Sequence, residues 1–113
     1  MHDDSILNSI KKLLGLDPSY DAFDQDIIIC INTTFSILNQ LGAGPVNGYS
    51  ICDSSAKWSD YLNGNDNLNT IISYMHLKVK TLFDPPTNSS VMESYNKTIS
   101  ELEWRINIES ENS

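Results

Sequence analysis

Residues 24–42 read DQDIIICINTTFSILNQLG, and whether the IIIC within them opens a strand or a helix decides the fold class. A short apolar run fits either element. The longer pattern separates them: Ile27, Ile28, Ile31, Phe35, Leu38 and Leu41 recur at helical spacing up to Gly42, and that length with a glycine stop selects helix. Asp24 is the expected N-cap, with Phe23 before it as a staple against Ile27 or Ile28. Ile29, Cys30 and Ile37 widen the apolar face, which places this helix at the centre of the fold.

The segments on either side read the same way. From Asp66, the residues Leu68, Ile71, Ile72, Met75, Val79, Leu82 and Phe83 fall on one helical stripe, the cleanest periodicity in the chain. It stops at Asp84-Pro85-Pro86, because each proline lacks an amide hydrogen and disfavours helical geometry in the residue before it. Phe83, Asp84, Pro85 and Pro86 therefore form a structural joint, with Asp84 expected to accept bonds from backbone amides beyond the break. A last helix is expected from Ser90, where Ser90 and Glu93 have capping-box spacing, through Val91, Met92, Tyr95, Ile99, Leu102 and Ile106. Trp104 lies off that stripe. At the other end, Ile6, Leu7, Ile10, Leu13 and Leu14 form a short amphipathic helix capped by Asp3, Asp4 or Ser5 and closed by Gly15 with Leu16 beyond it.

The region GAGPVNGYSICDSS, residues 42–55, holds three of the five glycines and one proline and reads as a loop, with a brief extended stretch or hairpin possible at Tyr49 and Ile51. SSAKWSDYL follows as a short helix burying Trp58, Tyr61 and Leu62, ended by NGND. The expected fold is all-α: a compact bundle of about four to five helices with a Gly-rich loop between the second and third. It divides into a single domain over 1–106 and a polar C-terminal tail over 107–113, whose final ESENS should fray.

Composition narrows the function classes. The chain has 113 residues, enough for one domain that buries roughly two thirds of its unfolded surface. Seven Lys and Arg against fifteen Asp and Glu give a net charge of −8, which disfavours binding to phosphate backbones and favours repulsion from nucleic acid. The N-terminus carries acids where a secretion signal needs a basic region. No run approaches the ~18 apolar residues of a membrane span. A reducing cytoplasm suits the two cysteines, and the sequons at Asn32, Asn88 and Asn96 then stay unmodified.

No catalytic constellation is evident. His2, His76, Cys30 and Cys52 lack the spacing of a metal site, His76 reads as an ordinary histidine flanking a buried stripe, and Gly42, Gly44 and Gly48 lack the lysine of a phosphate loop. No catalytic residue, metal or cofactor is expected. Trp58 and Trp104 stand out instead, since tryptophan is favoured at interface centres. Trp58 fits core and interface equally; Trp104, beside Arg105, favours interface.

The stretches SILNSIKKLLGLDPSYDAFDQDIIICIN, ILNQLGAGPVNGYSI, KWSDYL, YMHLKVKTLFDPP and ELEWRINI together resemble, in order and spacing, the small head-tail connector (adaptor) proteins of tailed bacteriophages and prophages. QLGAGP, LFDPP and ELEWR are distinctive in combination, and LNQLG is similar to the QLRG signature of part of that group without its arginine. The resemblance covers nearly the whole chain. It implies a structural virion protein, not an enzyme. Such a protein is made in the host cytoplasm and assembles as a homo-oligomeric ring, usually of twelve copies, under the portal. The ring extends the channel through which double-stranded DNA passes without specific binding, and it meets a stopper or tail-completion protein. Within that picture the interface candidates are Gly42, Gly44, Pro45, Val46, Gly48 and Tyr49 of the loop, Trp58, and Trp104, Arg105 and Ile108 near the C-terminus. A competing reading is a small acidic regulator or DNA mimic that inhibits a host nucleic-acid-binding protein. Such a mimic needs its acids in a dense array, whereas here they are spread along the chain.

Overall fold

Helix α1 spans Ile6–Leu13 and shows how closely local chemistry sets the element ends in this computed structural model, which describes residues 5–45, 47–61 and 68–111. The Ser5 Oγ accepts the Asn8 amide at 3.2 Å, satisfying one of the donors left over at a helix start. At the other end Gly15, with φ 84°, lets the Leu16 amide reach back to the Lys11 carbonyl at 2.8 Å and its own amide reach Lys12 at 3.0 Å. These paired bonds form a Schellman closure. Asp3 and Asp4 lie outside the described residues.

Helix α2, Asp24–Gln40, repeats that closure: the Gly42 amide bonds the Asn39 carbonyl at 3.1 Å and the Ala43 amide bonds Leu38 at 2.9 Å. Its start differs from expectation. Phe23 occupies the cap position without a side-chain bond, and Asp24 sits in the first turn. There its carboxylate, instead of capping the helix, pairs with the Lys11 Nζ at 2.7 Å. The lysine is fully buried and also donates to the Pro18 carbonyl at 2.8 Å. A buried ammonium needs both partners to offset its lost hydration, so this pair fixes how α1 meets α2.

Four-residue helix α3, Trp58–Tyr61, and helices α4, Leu68–Phe83, and α5, Ser89–Glu111, complete an all-α bundle. No strand occurs among the described residues, and a lone bridge joins Ser5 to Lys57. Near Ile51, where a brief extended stretch or hairpin is possible from the sequence, no ladder strand forms and a side chain supplies the pairing instead. Asn32 donates Nδ2 to the Ile51 carbonyl at 2.9 Å and accepts the Ile51 amide at 2.8 Å, so both polar groups of a buried backbone are satisfied. Leu62, the NGND stretch and the expected start at Asp66 lie outside the described residues.

The core runs along α2 and α4, with Ile27, Ile31, Phe35, Leu38, Ile71, Tyr74, Met75 and Val79 all buried. Tyr74, absent from the expected stripe, is buried too, and its hydroxyl donates to Glu103 of α5 at 2.8 Å, which gives the polar tip a partner. Two residues expected in the core of α2 and α4 turn outward, as does Leu13 of α1 at 46 %. Ile29 is 62 % exposed and Leu82 46 % exposed. Ile29 follows Ile27 by two residues, a rotation of about 200° on a helix, and therefore leaves the face that meets α4.

At the double proline, the Asp84 amide completes α4 on the Lys80 carbonyl at 2.9 Å. The Asp84 side chain pairs backwards with Lys80 at 3.0 Å, not forwards with amides past the break. The next helix is capped by Asn88, whose Oδ1 accepts the amides of Ser90 and Val91 at 2.9 and 3.2 Å. That bond replaces the capping box expected at Ser90. Helix α5 then packs along α4 through Ile99, Leu102 and Ile106, while Val91 is exposed. It continues through Glu111; residues 112 and 113 lie outside the described residues. The radius of gyration is 13.6 Å, against about 13 Å for a compact chain of this length.

Candidate functional site

The glycine loop is built around an aromatic triad. Phe35 of α2, Tyr49 of the loop and Tyr61 of α3 meet with ring centroids 4.6–5.3 Å apart, in the tilted and edge-on geometries that aromatic quadrupoles favour. Gly44 lies directly against this cluster: a Cβ on it would stand 2.6 Å from the Tyr61 ring, and its φ of 81° is one that side chains resist. Burial pushes the Tyr61 phenol up to about 12 and raises that of Tyr49 as well. The loop is therefore held by its aromatic floor. Among its interface candidates Gly42 and Pro45 are exposed and Gly44, Gly48 and Tyr49 half-buried; Val46 lies outside the described residues.

Trp58 lies inside the bundle, 1 % exposed, with its indole N–H donating to the Ser9 Oγ at 2.8 Å. Of the two readings the sequence left for it, its place is the core of this chain. Trp104 is its opposite, 64 % exposed on the outer side of α5. Beside it Arg105 is also exposed and pairs with Glu101 at 3.0 Å, and Ile108 is half-buried.

A third surface went unread in the sequence. Leu16, Phe23, Ile29, Cys30, Leu82 and Phe83 line an open groove of about 670 Å³, with Asp26 and Asp84 also in its wall. The Phe23 ring packs edge-on against Phe83 at 5.6 Å, which joins the start of α2 to the end of α4. Leu82, Phe83 and Asp84, the residues that lead into Pro85 and Pro86, thus lie in the groove wall. Its signal was present as the apolar residues Ile29 and Leu82, but periodicity assigned them to the core.

Titratable groups are spread over the molecule. His76 is held below the usual histidine range by burial, partly offset by a bond to the Leu13 backbone. Burial, with help from Asp26, raises the Cys30 thiol, which opposes the thiolate a nucleophile requires. Ser19 and Ser55 hold Asp17 and Asp53 below the carboxylate range by donating backbone and hydroxyl hydrogens to them. Among the described residues no group of three or more His, Cys, Asp or Glu could hold a metal ion, and no helix is long and apolar enough to cross a membrane.

Buried aromatics thus anchor one surface, and exposed apolar residues form two others. Comparison with known families matches residues 6–113 to the family described as phage connector protein. The chain belongs to that family. At this level its role is structural, in the head-tail connection of a bacteriophage. Neither a curated protein nor a solved structure matches the chain.

Proposed function

We propose that this connector protein assembles as a homo-oligomeric ring, of about twelve copies by analogy with the adaptors it resembles. The ring sits beneath the portal at the capsid vertex, lengthens the DNA channel and receives the stopper or tail-completion protein on its far side. The family match over 6–113 carries this reading. A net charge of −8 supports it, because a like-charged wall lets duplex DNA pass without adhering. The exposed Trp104 and the apolar groove supply contact surfaces of the kind that ring subunits need.

The disposition of the acids favours this role over DNA mimicry. Asp24, Asp84 and Glu101 pair with cations, Asp17, Asp53 and Asp60 cap local turns, and Glu103 holds Tyr74. Carboxylates committed to internal bonds do not form the regular outward array that imitates a phosphate backbone. Imaging of assembled particles tests the proposal. Density for this chain should form a closed ring at the portal-tail junction; its presence anywhere else, or recovery of the chain on a host nucleic-acid-binding protein without portal, would overturn the reading.

A further inference from the structure

We infer that Asn47-Gly48 in the glycine loop is a spontaneous modification site, at which the asparagine converts to aspartate and isoaspartate. Asparagine loses its side-chain amide when the backbone nitrogen of the next residue attacks its Cγ. A bond forms between that nitrogen and Cγ, the bond from Cγ to Nδ2 breaks, and ammonia leaves with the proton that the backbone nitrogen gives up. Water then opens the cyclic imide at either carbonyl. One opening gives aspartate; the other routes the chain through the side chain as isoaspartate.

The reaction needs a side chain that nothing holds, a following residue without a Cβ to obstruct the attack, and a backbone able to bring nitrogen to Cγ. Asn47 is exposed, and among the described residues no hydrogen-bond partner holds its side chain. Gly48 follows it, and even an added Cβ there would meet nothing within 4 Å, so the attacking nitrogen is open to approach. The other described asparagines are placed differently. Asn8, Asn32, Asn39, Asn69, Asn96 and Asn107 lie inside helices, whose fixed torsions keep the following amide from closing on Cγ. Asn88 is engaged through its Oδ1, which accepts the amides of Ser90 and Val91. At Asn47 the restraint is one bond, from the Gly48 amide to the Pro45 carbonyl at 2.9 Å. In exposed, irregular backbone such a bond opens at low cost, so it slows the reaction without preventing it.

The product alters the loop in two ways. Asn47 lines an open cavity of about 580 Å³ with Asn32, Ser36, Asn39, Tyr49 and Ser50, and no charged side chain stands among the described residues of its wall. Conversion places a carboxylate there. The isoaspartate form also lengthens the backbone by an atom just before Tyr49, whose ring rests against Phe35 and Tyr61, so charge and aromatic anchor change together. The chemistry is internal to one chain and does not depend on the ring reading.

Purified chain held in warm, mildly alkaline buffer tests the site, with the mass gain of amide-to-acid exchange located by fragment ions and isoaspartate detected by a methyltransferase specific for it. Asn47 should convert to both isomers and take up oxygen from labelled water, more slowly in the folded chain than in denaturant, while Asn32, Asn39 and Asn107 of the folded chain stay unchanged. Asn47→Gln, an exposed change that leaves folding intact, should abolish isoaspartate at this position, and Gly48→Ala should suppress conversion in folded and denatured chains alike. Asn63-Gly64, the other such pair in the sequence, lies outside the described residues and is distinguished by its own fragments. An Asn47 that persists in the folded chain after the denatured chain has fully converted, aspartate without isoaspartate, conversion spread equally over the helical asparagines, or a rate indifferent to Gly48→Ala overturns the inference.

Discussion

The glycine loop and helix α5 invert the usual relation between regular structure and burial. The loop has no repeating backbone pattern, yet Ile51 is buried and bonded on both sides by Asn32, and Gly44 and Tyr49 belong to an aromatic cluster. Helix α5 is regular over 23 residues, yet among its described side chains only Ile99 and Ile106 are buried. Regularity follows from satisfied backbone bonds, which a helix supplies by itself, whereas embedding depends on which side chains find neighbours. The loop is thus part of the scaffold, and α5 is a scaffold element with a free outer face.

The strongest way to break this comparison is at the two tryptophans. Trp58→Ala, in the embedded half, should cost about 3–5 kcal/mol in chemical denaturation, because it empties a core site and strips the Ser9 hydroxyl of its donor; a loss below about 1 kcal/mol would mean that α3 is not part of the core. Next comes Gly44→Ala, expected to destabilise by roughly 2–3 kcal/mol, because left-handed strain adds to a clash with Tyr61. Gly48→Ala sharpens that result: Gly48 has φ 86°, but a Cβ added there would meet nothing within 4 Å, so only the strain of about 1–2 kcal/mol should remain. Equal losses at the two glycines would show that the Tyr61 contact is slack.

Smaller effects belong to α5. Replacing Pro85 and Pro86 together by alanine should lower stability by about 1–2 kcal/mol, chiefly by freeing the unfolded chain, and should loosen the angle at which α5 returns along α4. Unchanged thermal unfolding and unchanged particle assembly would show that Tyr74, Ile99 and Ile106 set the angle by packing alone. Trp104→Ala should change the stability of the isolated chain by no more than about 0.5 kcal/mol while reducing assembly of particles. A large loss of monomer stability would place Trp104 in the embedded half after all.

Much of this molecule was legible without coordinates. The glycine stops at Gly15 and Gly42, the cap at Ser5 and the stripes of α2 and α4 depend on residues within a few positions of one another, and such signals survive in any tertiary setting. The caps at Asp24 and Ser90 were misplaced because Asp24 had a distant partner, Lys11, and Asn88 competed successfully for the free amides. The groove was hidden for a related reason. Periodicity records that Ile29 and Leu82 are apolar, but whether an apolar residue is covered depends on the rotation and length of the neighbouring helix.

The sequence by itself determined an all-α acidic chain, the positions of its main helices and the joint that turns α4 back, since propensity, helix-end chemistry and apolar spacing are local properties. It also carried, in the order of its segments, the match to phage connector proteins. Only the tertiary structure decided that Trp58 is internal and Trp104 external, that Lys11 is buried on Asp24, and that Phe23, Ile29 and Leu82 border one groove. Those outcomes depend on which surfaces of separate helices exclude water together, and side chains far apart in the chain settle them.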